Sequence, residues 1–86
     1  MAPSQTKVAV VYYALLRDQA GQDREEVATA STTVRGLYRD LQQRHGFTLP
    51  EERLQVAVND AFCSWDAGIS DGDEVVFIPP VAGGSA

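Results

Sequence analysis

The residues of this sequence that could take part in chemistry are gathered at its C-terminal end. After Ile78 the chain continues Pro79-Pro80-Val81-Ala82-Gly83-Gly84-Ser85-Ala86. Two prolines fix φ and remove backbone donors, so a strand must stop there and the chain must continue extended. Two glycines without a Cβ could pass down a channel too narrow for other residues and let a partner approach their carbonyl groups. The pattern predicts a slender tail, although small residues are also typical of a merely disordered terminus.

The other reactive side chains occur as single copies. Cys63 is the only cysteine and His45 the only histidine, which excludes an internal disulfide and a cysteine-based zinc site. A nucleophilic Cys63 would need a base, and nothing in the sequence places His45 beside it, so we interpret Cys63 as a small buried hydrophobe. His45 precedes Gly46 at a predicted helix end, where a cation interacts favourably with the helix dipole. We therefore predict no metal site and no cofactor of its own.

Size and charge exclude further classes of function. A domain of 86 residues buries only about 60–65% of its unfolded surface, which leaves few apolar residues for a deep pocket and disfavours a self-contained enzyme. The net charge of −5 argues against nucleic acids and anionic membranes and suits a partner with a basic groove. The longest apolar run, Val8–Leu16, is too short to span a bilayer and has no signal-peptide cleavage site after it. The expected compartment is the cytosol.

Five strands and two helices are predicted to carry the tail. The β-branched and aromatic run at 7–13 favours a central strand that is buried on both faces. Further strands are predicted at 25–30, 54–58, 61–65 and 74–78, with a short helix at 14–20 that ends at Gly21.

One long helix gives the clearest pattern. An apolar stripe at helical spacing consists of Val34, Leu37, Tyr38 and Leu41. Thr32 or Thr33 can cap its start, and Gly46 can end it in the left-handed conformation. Gly36 inside this helix weakens it, and we interpret it as allowing a close approach to the sheet.

These elements imply an α+β roll, in which one main helix lies across one face of a mixed sheet of about five strands. The first and last strands are the most hydrophobic and are expected to be adjacent at the centre. Tyr13, Phe62 and Phe77 are expected in the core, whereas the role of Trp65 stays open. The predicted domain covers 1–78, with a frayed start at 1–6, and the tail covers 79–86.

Several motifs together resemble a known family. The ending from Phe77 to Gly84, preceded by Ser70-Asp71-Gly72-Asp73-Glu74-Val75, is similar to the end of the small subunits of molybdopterin synthase, which are ubiquitin-like sulfur carriers. The segment from Tyr12 to Gly21 is similar to their strand-to-helix connection. Leu54–Asn59 resembles their middle strand, and Thr33–Leu41 their main helix. The Pro-Pro-Val-x-Gly-Gly ending is more specific than Asp-Gly-Asp-Glu-Val, which recurs among related carriers.

The resemblance implies a β-grasp fold and the role of a cosubstrate rather than a catalyst. An adenylating enzyme related to ubiquitin-activating enzymes would use ATP to activate the carboxylate of Gly84, and a sulfur donor enzyme would supply the sulfur of a thiocarboxylate. The large subunit of the synthase would then receive the tail and use its sulfur to convert cyclic pyranopterin monophosphate into molybdopterin. The implied assembly is a heterotetramer of two small and two large subunits, with no nucleic acid and no membrane as partner.

By position in the family pattern, each site residue has an implied role. Gly84 would react, and Gly83, Ala82 and Val81 would lie in the partner's channel. The residues implied to dock on partners are Ile78, Pro79, Pro80, Tyr13 and Phe62. Tyr13 and Phe62 thus have two interpretations, as core residues or as contacts.

Ser85 and Ala86 depart from the family, whose members end at the second glycine because only a terminal carboxylate can be adenylated. Proteolytic removal, a cloning addition and loss of sulfur-carrier function are the three explanations.

Two alternative functions also stay open. One is another carrier or modifier, which would deliver sulfur to thiazole or tRNA or join Gly84 to lysines of other proteins. The other is a β-grasp binding module with an inert tail.

Overall fold

The structure is a computed structural model that describes residues 5–80. The strands are β1 (Thr6–Tyr12), β2 (Arg24–Thr29), β3 (Gln55–Val58), β4 (Ala61–Cys63) and β5 (Glu74–Ile78). The helices are α1 (Ala14–Ala20) and α2 (Val34–His45), and a single 3-10 turn covers Glu51–Arg53. This is the predicted element order. Thr6 belongs to β1 rather than to a frayed start, and β4 ends two residues earlier than predicted.

The strands form one mixed sheet in the order β2-β1-β5-β3-β4. The two central strands, β1 and β5, run parallel, and the other neighbouring pairs are antiparallel. The first and last strands are therefore adjacent at the centre, as predicted. Because they are parallel, the chain leaves both at the same end of the sheet: β1 leads into α1 there, and β5 leads into Pro79.

Helix α2 covers one face of this sheet. Its cap is Thr33, whose side chain accepts a hydrogen bond from the Gly36 amide, and it ends at Gly46 in the left-handed conformation with φ 73°. The predicted stripe is completely buried. It packs against the inward residues of the strands, which include Val8, Val10, Tyr12, Val27, Val56, Val75 and Phe77.

The structure corrects two predictions about packing. The first is that β1 is buried on both faces: Val8, Val10 and Tyr12 are buried, but Ala9 and Val11 are only half-buried. The reason is that the one long helix covers one face, and among residues 5–80 no second layer covers the other.

The second correction concerns Gly36. A Cβ built on this residue would lie 2.9 Å from the Ser31 hydroxyl oxygen, so the close approach is to Ser31 and not to the sheet.

Candidate docking face and tail exit

The helix-free face of the sheet carries a row of apolar side chains. Successive residues of a strand alternate between the two faces, and cross-strand partners share a face. The register pairs Val11 with Val76, Val76 with Ala57, and Ala57 with Phe62. This row of four residues therefore crosses the sheet from β1 to β4 and defines what we call the docking face.

Phe62 and Tyr13 lie on this face and are exposed. Phe62 is 71% exposed and Tyr13 is 50% exposed, whereas Phe77 is completely buried. The expectation of a core position was therefore wrong for Tyr13 and Phe62 and is confirmed for Phe77. Tyr13 keeps extended backbone angles, directly follows Tyr12, the β1 partner of Phe77, and lines a groove together with Val11 of the docking face. Alternation turns Tyr12 towards the helix and Tyr13 towards the docking face.

The base of the tail lies at the edge of the same face. Ile78 is half-buried and pairs with Gln55, and β5 stops there because Pro79 has no amide to continue the ladder. Pro79 is half-buried and Pro80 exposed. A groove of about 300 Å³ runs beside them and is lined by Glu52, Arg53, Leu54, Gln55, Ile78, Pro79 and Pro80. The structure thus gathers the predicted docking residues Tyr13, Ile78, Pro79 and Pro80 at one end of the sheet, with Phe62 on the neighbouring row.

Val81, Ala82, Gly83 and Gly84, the predicted tail residues, lie outside the described residues. What the structure gives is the point from which they depart. That point is the end of a central strand, anchored on both sides by β1 and β3. A tail that begins there is carried by a rigid body.

Trp65 and Cys63 belong mainly to the packing of the domain. The Trp65 ring stacks on Phe77 with centroids 5.8 Å apart and meets Tyr38 edge-on at 5.4 Å, so Trp65 covers the core. Cys63 is half-buried rather than fully buried, and its Sγ lies 3.9 Å from the Val56 carbonyl oxygen. Together with Leu54, Gln55, Val56 and Phe62 they line a second groove of about 550 Å³.

His45 is the last residue of α2, as predicted, but sequence reasoning missed its partner. Its Nε2 lies 2.6 Å from Glu25 Oε2 on β2, and the Tyr12 hydroxyl donates a hydrogen bond to the same oxygen. Burial acts to raise the pKa of Glu25, but the hydrogen bonds from Tyr12 and His45 outweigh it and hold that pKa below its ordinary value. Burial foremost, and then Glu25, raise the pKa of the Tyr12 hydroxyl, so Tyr12 stays neutral. This cluster fixes the end of β1 immediately before Tyr13.

Sequence reasoning also missed two neighbours of Tyr13. Leu15 is 41% exposed, and Ala14 has a φ of 52°, in the left-handed region. A signal for Leu15 was present in the sequence. Leu15 and Leu16 are adjacent, so a short helix that packs along one face buries only one of the two side chains, and here that is Leu16. No pattern signalled the φ of Ala14, because alanine ordinarily avoids that region.

No helix within residues 5–80 has the length and apolarity needed to cross a membrane.

Comparison with known proteins gives likenesses over nearly the whole chain. The profile of the ThiS family matches residues 10–84. The molybdopterin synthase sulfur carrier subunit of Escherichia coli K12 is 38% identical over 80 residues, which cover 90% of this chain and 99% of that one. The subunit of the same name from Mycobacterium tuberculosis is 40% identical over 81 residues, with 91% and 98% covered.

Solved structures share the fold. A putative molybdopterin converting factor subunit 1 from Pyrococcus furiosus superposes with a TM-score of 0.74 at 35% identity, over 88% of this chain and 99% of that one. A chain from the complex of subunits 1 and 2 of the molybdopterin-converting factor of Helicobacter pylori gives 0.65 at 20% identity, over 91% and 99%. The predicted β-grasp fold is confirmed by these likenesses and by the observed sheet order.

Proposed function

The chain belongs to the ThiS family, and from that premise we propose that it is the sulfur carrier subunit of a molybdopterin synthase. The observation that carries the proposal is the extent of the match, which runs from residue 10 in β1 to Gly84 and so includes the tail. Two relatives that cover at least 90% of the chain carry that name. Solved structures of small archaeal modifier proteins are at most 22% identical to this chain. Their likeness shows the fold alone, so we do not extend a modifier function to this chain.

The chemistry proceeds at the carboxylate of Gly84. A carboxylate oxygen attacks the α-phosphorus of ATP on an adenylating enzyme, and pyrophosphate leaves. Hydrosulfide, which a donor enzyme would supply, then attacks the acyl carbon. The C–S bond forms, AMP leaves with the former carboxylate oxygen, and the sulfur loses its proton to solvent. The resulting thiocarboxylate is the nucleophile that delivers sulfur to the pterin substrate. ATP is thus a substrate of the activating enzyme, and the reaction belongs in the cytoplasm, where ATP is available.

This chain's own part is to bind and to present. The docking face offers apolar side chains, with Phe62 and Tyr13 exposed, to the large subunit. Burial of such aromatic side chains is what usually dominates the affinity of a protein interface. Pro79 and Pro80 direct the tail away from the end of β5 into the partner's channel. The small subunit is therefore a cosubstrate, and the groups that bind the pterin phosphate come from the large subunit.

The partner is proposed by analogy of assembly. The Helicobacter pylori chain of the same fold was solved in complex with subunit 2 of its converting factor. We propose the equivalent large subunit for this chain, in a heterotetramer of two small and two large subunits. Ser85 and Ala86 lie beyond the family match and must be removed before Gly84 can be adenylated.

The test is a reconstitution with two versions of the chain. One ends at Gly84 and the other retains Ser85 and Ala86; each is incubated with an adenylating enzyme, ATP and a sulfide source. We expect intact-mass analysis to show one oxygen replaced by sulfur only on the version that ends at Gly84. The thiocarboxylated version should then release its sulfur when the large subunit and the pterin substrate are added. An adenylating enzyme that thiocarboxylates its own carrier but leaves this chain unchanged would contradict the proposal.

A further inference from the structure

Tyr13 lies between two residues whose conformations are unusually restricted. On one side, Tyr12 is buried, its ring meets Phe47 edge-on at 5.4 Å, and its hydroxyl is held by Glu25. The Tyr12 amide also donates a hydrogen bond of 3.0 Å to the Asp23 carbonyl oxygen. The backbone that enters Tyr13 is therefore fixed from both the side chain and the main chain.

On the other side, Ala14 has a φ of 52°. This left-handed region is disfavoured for residues with a Cβ, and glycine is the usual choice there. The chain follows that rule at Gly21, Gly46 and Gly72, all with positive φ. The other described non-glycine residues with positive φ are Asn59 and Asp60, whose types tolerate it. Among residues 5–80, Ala14 is thus the one unsuited residue in this region.

Ala14 lies at the junction between β1 and α1. Ala14 begins α1 and directly follows Tyr13, whose carbonyl oxygen accepts a hydrogen bond of 3.1 Å from the Leu16 amide. A glycine at position 14 would fit the observed angles with less strain but would also open many others. An alanine that is held in place by α1 has fewer accessible backbone conformations than a glycine, which limits the directions that the chain can take directly after Tyr13.

We propose that Ala14 is a positioning residue that holds Tyr13 in its docking orientation before the large subunit arrives. This inference rests on the proposed function, since it names the surface on which that partner docks. The physical benefit is preorganisation: a side chain that is already ordered loses less conformational entropy on binding. The strain at Ala14 is then a local cost that is offset by tighter association.

The first test uses the free chain and needs no partner. Three variants are compared with the wild type: Ala14→Gly, Ala14→Asn, and Ala30→Gly as a matched control in an exposed loop. Asparagine tolerates the left-handed region and keeps a Cβ, so it should preserve the restriction. We expect NMR couplings to give a single χ1 rotamer for Tyr13 in the wild type, Ala14→Asn and Ala30→Gly, and an averaged one in Ala14→Gly. Averaging in the wild type, or a single rotamer in Ala14→Gly, would overturn the proposal.

The second test measures affinity in a double-mutant cycle by titration calorimetry with the large subunit. Ala14→Gly should raise Kd roughly 3- to 10-fold while its Tm stays equal to or above that of the wild type. The same change in a Tyr13→Ala background should have no further effect on Kd. An equal effect in both backgrounds would show that Ala14 acts elsewhere and would overturn the positioning role. A wild-type chain that does not bind the large subunit would instead remove the proposed function, and the rotamer measurement would still decide the positioning.

Discussion

His45 Nε2 lies 2.6 Å from Glu25 Oε2, and this contact joins the last residue of α2 to the edge strand β2. Both side chains are only 12% exposed, so the pair is shielded from solvent, and the Tyr12 hydroxyl shares the same carboxylate oxygen. One acidic side chain therefore connects three elements of the fold, next to the residue that leads onto the docking face.

Glu25→Gln is expected to lower the free energy of unfolding by about 1–2 kcal/mol at pH 7, because hydrogen bonds to a charged group are replaced by weaker neutral ones. The pKa of Glu25 in the folded chain lies below its ordinary value of 4.5. Its stabilisation is therefore complete above pH 4.5 and is lost as the pH falls through the lower folded-state pKa. Urea unfolding at pH 7, 5, 4 and 3 checks this. The exposed Glu26→Gln is the control, and a Glu25→Gln deficit that stays constant down to pH 3 would contradict the assignment.

Phe62→Ala is expected to raise the Kd for the large subunit at least ~10-fold, since an exposed aromatic side chain would lose its burial in the interface. Its Tm should stay within about 2 °C of the wild type, because Phe62 contributes little to the core when 71% of it is exposed. The control is Gln43→Ala, on the exposed side of α2. Unchanged affinity in Phe62→Ala would show that the partner does not use the docking face around β4.

Gly36→Ala should destabilise the domain by about 1 kcal/mol although alanine is the better helix former, because the new Cβ would lie 2.9 Å from the Ser31 hydroxyl oxygen and 3.0 Å from the Ser31 Cβ. Rotating the hydroxyl away would break its hydrogen bond to Asp40 and would leave the Cβ in place. In a Ser31→Gly background the same change should instead stabilise by about 0.5–1 kcal/mol, since only the propensity term remains. Thermal unfolding of the four proteins in this cycle measures both signs. Equal effects of Gly36→Ala in the two backgrounds would rule out Ser31 as the cause.

Gly83→Val tests whether the tail must be slender. In the chain that ends at Gly84, we expect this substitution to slow sulfur transfer on the large subunit at least ~10-fold, because a β-branched side chain would fill the narrow channel that we propose for the tail. Its Tm should not change, because the buried core that the structure describes extends only to Phe77. Thiocarboxylate formation is measured separately so that loading and delivery are distinguished. Delivery at the wild-type rate would show that the channel is not narrow at this residue.

Strand and helix positions followed from the sequence because each rests on local rules. The stripe from Val34 to Leu41 has one helical solution, Thr33 and Gly46 mark its ends, and the prolines after Ile78 stop β5. The pairing of β1 with β5 followed from their hydrophobicity alone. The one-sided burial of β1 could also have been predicted, since a sheet with one long helix has one covered face.

Local rules did not give the exposure and the contacts of residues whose neighbours come from distant segments of the chain. Tyr13 and Phe62 look like core residues by type, and only the sheet order places them on the face that α2 leaves open. Ser31 lies where a Cβ of residue 36 would be in close contact with it, and His45 pairs with a strand residue 20 positions away. The sequence by itself determined the elements and a tail of two glycines after two prolines, because propensity and φ restriction act within a few residues. Only the tertiary structure decided which face is free to dock and how Tyr13 is presented there, because exposure and long-range contacts depend on how the elements pack.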